Sequence, residues 1–309
     1  MPIIELPQGP VSYRIAGPEN APEKGEVAAP PVVFVHAFLV DGSVWSAVAE
    51  RLAEQGIRSY APDWPLGAHR TPLKNDADQS PRGVAGQILA FLEALDLHDV
   101  TLVGNDTGGA LCQYVLDLDA RRIGRVVLTN CDAFDTFPPF PFNVIFRLLG
   151  GEGRMWFNLQ PMRWRLFRHS PLGLGLLANK LDPVQSRSWM EPSLSSREIR
   201  RDATRFLRAI DPKELLDVST RLKEFAGPVK IVWGMADPAF KPALGRRLRA
   251  AFRDATLVEV PGARTFVQLD APDVLAAEIA ALAPPYGQET GYGEAQRAAA
   301  PASRARSLG

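Results

Sequence analysis

The sequence predicts an α/β fold: a mostly parallel sheet of about eight strands, helices on both faces, and one helical insertion. Three observations predict it. Short apolar, β-branched runs such as Pro31 to His36 and Val229 to Trp233 read as strands buried on both faces. Helical stretches alternate with those runs, and such alternation points to right-handed crossovers between parallel strands. The alternation stops near Asp132 and resumes near Val229, leaving between them a segment rich in Pro, Arg and aromatic residues.

The elements follow in order. Ile3 to Leu6 and Val11 to Ile15 read as the first strands, and Gly17 to Pro30 as a loop rich in Pro, Gly and Ala. After the strand at Pro31 to His36 come a helix from about Val44 to Gln55 and a strand at Arg58 to Ala61. A Pro- and Gly-rich loop leads to a helix from about Pro81 to Leu95 and a strand at Val100 to Val103. A helix then covers Thr107 to Leu118, and Arg125 to Leu128 is the sixth strand. Inside the insertion, helical spacing stands out at Phe142 to Leu149 and Ser196 to Ile210. Beyond it lie a strand at Val229 to Trp233, a helix near Ala243 to Phe252, a strand at Thr256 to Val260 and a helix near Pro272 to Leu282. The expected division is a core in two parts, 1–131 and 227–283, a helical cap or lid inserted after the sixth strand at 132–226, and a disordered tail at 284–309.

At 309 residues the chain fits one catalytic domain with an inserted subdomain. Its formal net charge is zero and 46% of its residues are hydrophobic. That predicts a globular protein and gives no electrostatic case for nucleic acid or a membrane as partner. The first residues, Met1 to Glu5, have no basic start, long apolar run or cleavage site, which predicts a cytoplasmic protein. No stretch approaches the roughly 20 apolar residues of a membrane helix. Cys112 and Cys131 read as buried small hydrophobes rather than a disulfide, and with four dispersed histidines they give no metal-ligand spacing. No cofactor is expected. The expected partner is a small hydrophobic molecule, and a homodimer is compatible with the composition.

The strongest local signal is Gly104-Asn105-Asp106-Thr107-Gly108-Gly109, between a buried strand and a helix. A sharp strand-to-helix turn strains its central residue and leaves no room for neighbouring Cβ atoms, so small residues surround it. The turn presents one side chain, Asp106, at the carboxyl edge of the sheet beside the free N–H groups of a helix start. The second signal is His36-Ala37-Phe38, at a strand end about 70 residues upstream. Backbone N–H groups of Phe38 and Thr107 would form an oxyanion hole, with His36 as a structural residue holding the loop.

On these residues the chain resembles the α/β-hydrolase superfamily, in particular its haloalkane dehalogenase and epoxide hydrolase branch, where the elbow residue is Asp rather than Ser. The likeness covers about residues 31–282 apart from the insertion. It implies attack of Asp106 on carbon to give an alkyl-enzyme ester, which a water activated by a His–acid pair hydrolyses. Trp233-Gly234-Met235-Ala236-Asp237 matches the acid motif after the seventh strand, so the resemblance implies Asp237 as that acid. Asp132, just after the sixth strand, matches an alternative acid position found in part of the dehalogenase family.

The family's histidine is missing. Aligned on Pro261-Gly262-Ala263 and Phe266-Val267-Gln268, Thr265 stands in its place beside Arg264. A hydroxyl is a poor general base near neutral pH, and a positioned base is worth about 10²–10⁴-fold in rate. The leaving-group devices depart too. Dehalogenases of the branch hold halide with a Trp after the nucleophile, where this chain has Thr107, and with an Asn or Trp elsewhere; Phe38 stands where the His-Gly-Asn pattern puts the Asn. Epoxide hydrolases use lid tyrosines, yet no Tyr lies between Cys131 and Trp233.

His69, on the loop after the fourth strand, is the first candidate for a relocated base; the alternative is an ordinary solvated loop histidine. His98 falls on the opposite edge and His169 in the lid. Without an imidazole, Asp106 and Asp237 would be close carboxylates in a partly dry site, and double ionisation is disfavoured unless a cation compensates. Arg264 is either that cation or a residue pointing to solvent. The lid holds 15 Lys and Arg against 9 Asp and Glu from Pro141 to Gly227, with Trp156, Trp164 and Trp189 interleaved, and an acidic or polyaromatic substrate would suit it. Three readings follow: a hydrolase of a small or medium hydrophobic molecule (ester, epoxide or alkyl halide) acting through Asp106; a cyclase, lyase or isomerase with Asp106 in acid–base work; and a ligand-binding protein without turnover. The elbow and Asp237 favour an enzyme, and the missing histidine favours the latter two.

Overall fold

The computed structural model of the chain describes residues 1–18 and 29–282. The expected tail at 284–309 and most of the loop before β3 lie outside the described residues. In chain order the first elements are β1 (Ile3–Leu6), β2 (Gly9–Ala16), β3 (Val32–Val35), α1 (Ser46–Glu54), β4 (Ser59–Pro62), α2 (Pro81–Ala94), β5 (Val100–Asp106), α3 (Thr107–Leu118) and β6 (Ile123–Cys131). The insertion supplies α4 (Phe142–Leu149), α5 (Glu152–Leu159), α6 (Arg165–Arg168), α7 (Pro183–Ser195), α8 (Arg197–Ala209) and α9 (Pro212–Arg221). The core resumes with β7 (Val229–Gly234), α10 (Pro242–Ala251), β8 (Ala255–Val260), α11 (Val267–Asp270) and α12 (Pro272–Leu282).

One eight-stranded sheet runs in the order β1-β2-β4-β3-β5-β6-β7-β8. β1 and β2 join antiparallel, β2 joins β4 antiparallel, and every later neighbour is parallel. Position in this order explains the sequence patterns. β3 lies between β4 and β5, and Val32, Val33, Phe34 and Val35 are all fully buried, so the strand carries no polar alternation. β2, near the sheet's edge, alternates: Val11 and Tyr13 turn inward, and Tyr13 meets Phe91 of α2 edge-on at 5.3 Å.

Two strands run further than their apolar stretches. β5 continues through Asn105 to Asp106, and β6 through Thr129 and Asn130 to Cys131. Of these, Asn105, Thr129 and Asn130 are polar yet buried, because they bond one another across the strand ends: Asn105 Nδ2 donates to Thr129 Oγ1 at 2.7 Å and to the Asn130 carbonyl at 3.2 Å. Hydrophobicity alone therefore stops short of the strand end. In the insertion, α8 explains its own visibility: Ile199, Ala203, Phe206 and Leu207 form a buried face, and Ser196 Oγ caps the start by accepting the Ile199 N–H at 3.2 Å. Among the described residues no helix is long and apolar enough to cross a membrane.

Candidate active site

The strand-to-helix turn at the end of β5 puts Asp106 in a backbone conformation that L residues rarely adopt, φ 55° and ψ −127°. Close packing around it requires the glycines. A Cβ on Gly108 would lie 2.2 Å from the Val35 carbonyl oxygen, and one on Gly104 would lie 2.6 Å from Cys112 Sγ. α3 therefore starts hard against β3 and β5, and its first N–H, from Thr107, donates to Asp106 Oδ1 at 2.7 Å. Thr107 Oγ1 reaches the same oxygen at 3.4 Å. Asp106 Oδ2 has no hydrogen-bond partner among the described residues. The side chain is partly buried and keeps accessible surface.

Three carboxyls end neighbouring strands here. β6 pairs with β5 through Asp106 and Cys131, so Asp132 follows directly beside the elbow, its N–H 3.4 Å from the Asp106 carbonyl. Asp132 is buried, and neither of its side-chain oxygens has a hydrogen-bond partner among the described residues. Asp237, after β7, is held on both oxygens. Asn130 Nδ2 and Thr265 Oγ1 donate to Oδ2, each at 2.8 Å, while the N–H groups of Ala239 and Phe240 donate to Oδ1 at 2.8 and 3.1 Å. Burial raises all three above the usual carboxylate range. It pushes Asp106 up to about 7, with the Thr107 N–H pulling back and the Asp237 charge adding to the rise. Asp132 is raised well above its ordinary value, first by burial and then by the Asp106 charge. Asp237 is raised by burial too, against its four donors. Near neutral pH the arrangement therefore sets Asp106 beside Asp132, a second carboxyl that burial makes harder to ionise.

Beyond the end of β3, which pairs with β5, the chain meets the insertion through an aromatic cluster. Phe38 packs on Phe146 of α4 at 5.2 Å and on Phe206 of α8 at 6.1 Å. The Phe38 N–H has no acceptor among the described residues, while the Thr107 N–H is engaged by Asp106. His36 accepts the Trp64 N–H at Nε2, 2.8 Å, and its Nδ1 lies 2.9 Å from the Ala37 carbonyl, so the ring ties the end of β3 to the loop after β4. Burial lowers its pKa, which keeps it neutral in this role.

Two expectations need correction. His69 is buried rather than solvated: its Nε2 lies 3.4 Å from Asp202 of α8 and its Nδ1 accepts the Gly67 N–H at 3.3 Å. The imidazole thus joins the insertion to the loop after β4 and is not oriented by Asp237 or Asp132. Arg264 is not the compensating cation. Its guanidinium donates to the Gly175 carbonyl at 2.6 Å and pairs with no carboxylate among the described residues. His98 and His169 are also engaged elsewhere, with Asp96 and with Ser186. Among the described residues no group of three His, Cys, Asp or Glu side chains could hold a metal ion.

Sequence reasoning missed the framework beneath the elbow. Asn130 bridges Asp237 and Gly234, donating to the Gly234 carbonyl at 3.0 Å and accepting its N–H at 2.6 Å. Asn105 donates to the Thr265 carbonyl at 2.7 Å and accepts from Gln268 at 2.9 Å. The available signal was a polar pair, Thr129-Asn130, ending an apolar strand.

A mostly parallel eight-stranded sheet with a tight strand-to-helix turn after β5 is the architecture of an α/β hydrolase fold. Residues 30–272 match the alpha/beta hydrolase fold family, and the chain belongs to it. It is 25% identical to haloalkane dehalogenase 2 of Mycobacterium tuberculosis over 272 residues, 82% of this chain and 88% of that protein. It is 27% identical to 2-hydroxy-6-oxononadienedioate/2-hydroxy-6-oxononatrienedioate hydrolase of Paraburkholderia xenovorans over 236 residues, 73% of this chain and 77% of that one. A shorter match, 34% identical over 98 residues, joins it to a Mycoplasma pneumoniae protein named for esterase or lipase activity, of whose length the chain spans 35%. Haloalkane dehalogenase DbeA of Bradyrhizobium elkani shares the fold, with a TM-score of 0.72 at 16% identity over 91% of this chain and 97% of that one.

Proposed function

We propose that the chain is a hydrolase of small or medium-sized hydrophobic molecules in which Asp106 attacks an electrophilic carbon. The observation that carries this is the asymmetric hold on Asp106: Thr107 fixes one oxygen, and the other has no partner among the described residues. The Oδ2 lone pair forms the new C–O bond, and the leaving group departs with the electrons of the bond it breaks. Likeness to a haloalkane dehalogenase and a dienedioate hydrolase supports the class. Only ionised Asp106 attacks, so the rate of adduct formation rises with pH through about 7.

The same geometry predicts a slow second half. Neither Thr265 nor Arg264 efficiently activates water, and the ester on Asp106 should persist. The test is to mix the protein with an activated alkyl halide or epoxide and weigh it intact. The expected result is an added mass on the peptide containing Asp106, absent from Asp106→Asn. Restored turnover in Thr265→His would place Asp237 correctly for an imidazole, with a gain of up to about 10²–10⁴-fold. No adduct and no turnover across a broad panel would end this reading in favour of ligand binding.

Asp132 favours a second reading. A carboxyl that burial makes harder to ionise, beside Asp106, can give a proton while Asp106 takes one, which is cyclase, lyase or isomerase chemistry. Turnover without water consumption, lost in Asp132→Asn, would select it.

A further inference from the structure

Three arginines of the insertion gather at one cleft. It encloses about 630 Å³ between α4, the start of α5 and the junction of α8 with α9. Phe146, Leu207 and Ile210 contribute apolar wall, and Arg147, Arg154 and Arg208 contribute charge. Arg208 Nε and Arg154 Nη2 donate to one shared acceptor, the Gly150 carbonyl, at 2.8 and 3.3 Å. Both guanidiniums crowd Gly151, where a Cβ would lie 3.2 Å from Arg154 Nε and 3.6 Å from Arg208 Nη2.

No acid neutralises this cluster. None of the three arginines has a carboxylate partner among the described residues. Asp135, which also lines the cleft, is engaged by Arg247 at 3.1 Å. Gly151, the N-cap of α5, supplies no side-chain acceptor, and Glu152 in that first turn is engaged by Arg197 at 2.8 Å. All three side chains are exposed, so water screens part of their mutual repulsion, and a shared anion would remove the rest.

We propose that this cleft binds an oxyanion, carboxylate or phosphate, tethered to an apolar body. Guanidinium forks match both oxyanions in geometry and charge. The apolar body would lie along Phe146, whose ring meets Phe38 beside the elbow. For the site proposed above this makes an amphiphilic acid the substrate class. That step rests on the hydrolase reading, whereas binding in the cleft does not.

The experiment is calorimetric titration of the full chain carrying Asp106→Asn, which forbids attack and leaves the cleft intact. Decanoate, decyl phosphate and decanol are the probes. Saturable binding of either anion, at least about tenfold tighter than decanol and weakened by added salt, is expected; which anion binds tighter identifies its source. Arg154→Gln with Arg208→Gln should weaken anion binding by about tenfold or more, and Arg154→Lys should retain part of it. Decanol binding as tightly as the anions, anion binding unchanged in the double variant, or no saturable anion binding would each overturn the proposal. Adduct formation at Asp106 in the unsubstituted protein is read separately, so either idea can fail while the other stands.

Discussion

Asp237 and Asp132 occupy matching places, one after β7 and the other after β6, both buried at the carboxyl edge of the sheet, yet they are held in opposite ways. Asp237 accepts four hydrogen bonds from Asn130, Thr265, Ala239 and Phe240. Asp132 accepts none on either oxygen. Where the family resemblance expects an imidazole against Asp237, a threonine hydroxyl makes the contact, so this carboxylate has become part of the framework that joins strand ends. Asp132 lacks any such settlement. A buried carboxyl without partners costs stability, and such groups persist where a protein's chemistry needs them.

The largest expected effect separates the two by stability. Asp237→Ala leaves two backbone N–H groups, an amide and a hydroxyl without their acceptor. At roughly 1–3 kcal/mol for each buried unmet group, partly relieved by rearrangement, urea unfolding should show a loss of about 3 kcal/mol or more. Asp132→Asn should lose little or become more stable, since no hydrogen bond is broken. Equal losses in the two variants would erase the distinction between framework and orphan.

The contrast also marks what could be read in advance. Thr107–Leu118, Phe142–Leu149 and Pro272–Leu282 were legible to the residue, because glycine-rich turns and proline punctuate their starts and apolar spacing sets their length. α5, α6, α7 and α9 were not. They are short or, in α7, carry an internal proline, and their burial depends on one another rather than on a strong apolar stripe. At the site, the elbow and both strand-end acids stood out through local spacing. The fate of His69 did not, because its partner Asp202 lies 133 residues away on a helix of the insertion. Arg264 was ambiguous for the same reason: its acceptor, Gly175, belongs to a turn whose position no local pattern reveals.

A smaller effect should appear with pH. Asp106 and Asp132 both have raised pKa values in the folded chain, whereas in the unfolded chain they titrate near 4. Above that value the unfolded chain has released protons that the folded chain retains. Their contribution to stability is therefore complete in acid and is lost as pH rises toward the folded values. Compared with wild type, Asp106→Asn should gain relative stability from about pH 4 and stop gaining near pH 7. Asp132→Asn should likewise gain from about pH 4, because burial and the Asp106 charge raise that carboxyl too. Melting temperatures measured from pH 4 to 9 should resolve differences of about 2 °C per pH unit. Parallel curves for wild type and Asp132→Asn would mean that Asp132 is ionised normally and finds partners.

The smallest effect tests the residue on which the comparison turns. Thr265→Val keeps the β-branch and the volume of a fully buried side chain and removes only the hydroxyl that donates to Asp237 Oδ2. Three donors remain, so the expected cost is one charge-assisted hydrogen bond, about 1.5 kcal/mol. That hydroxyl also lowers the Asp237 pKa, so its removal should raise a value already lifted by burial. The hydrogen bond is strongest to the ionised carboxylate, and the cost should shrink in acid as Asp237 becomes protonated. Thr265→Ser retains the donor and loses a methyl group, a change that should show no such pH dependence. If Thr265→Val is as stable as wild type at pH 8, the hydroxyl is not what satisfies Asp237. Oδ2 of Asp237 would then be held by Asn130 alone, while Ala239 and Phe240 keep Oδ1.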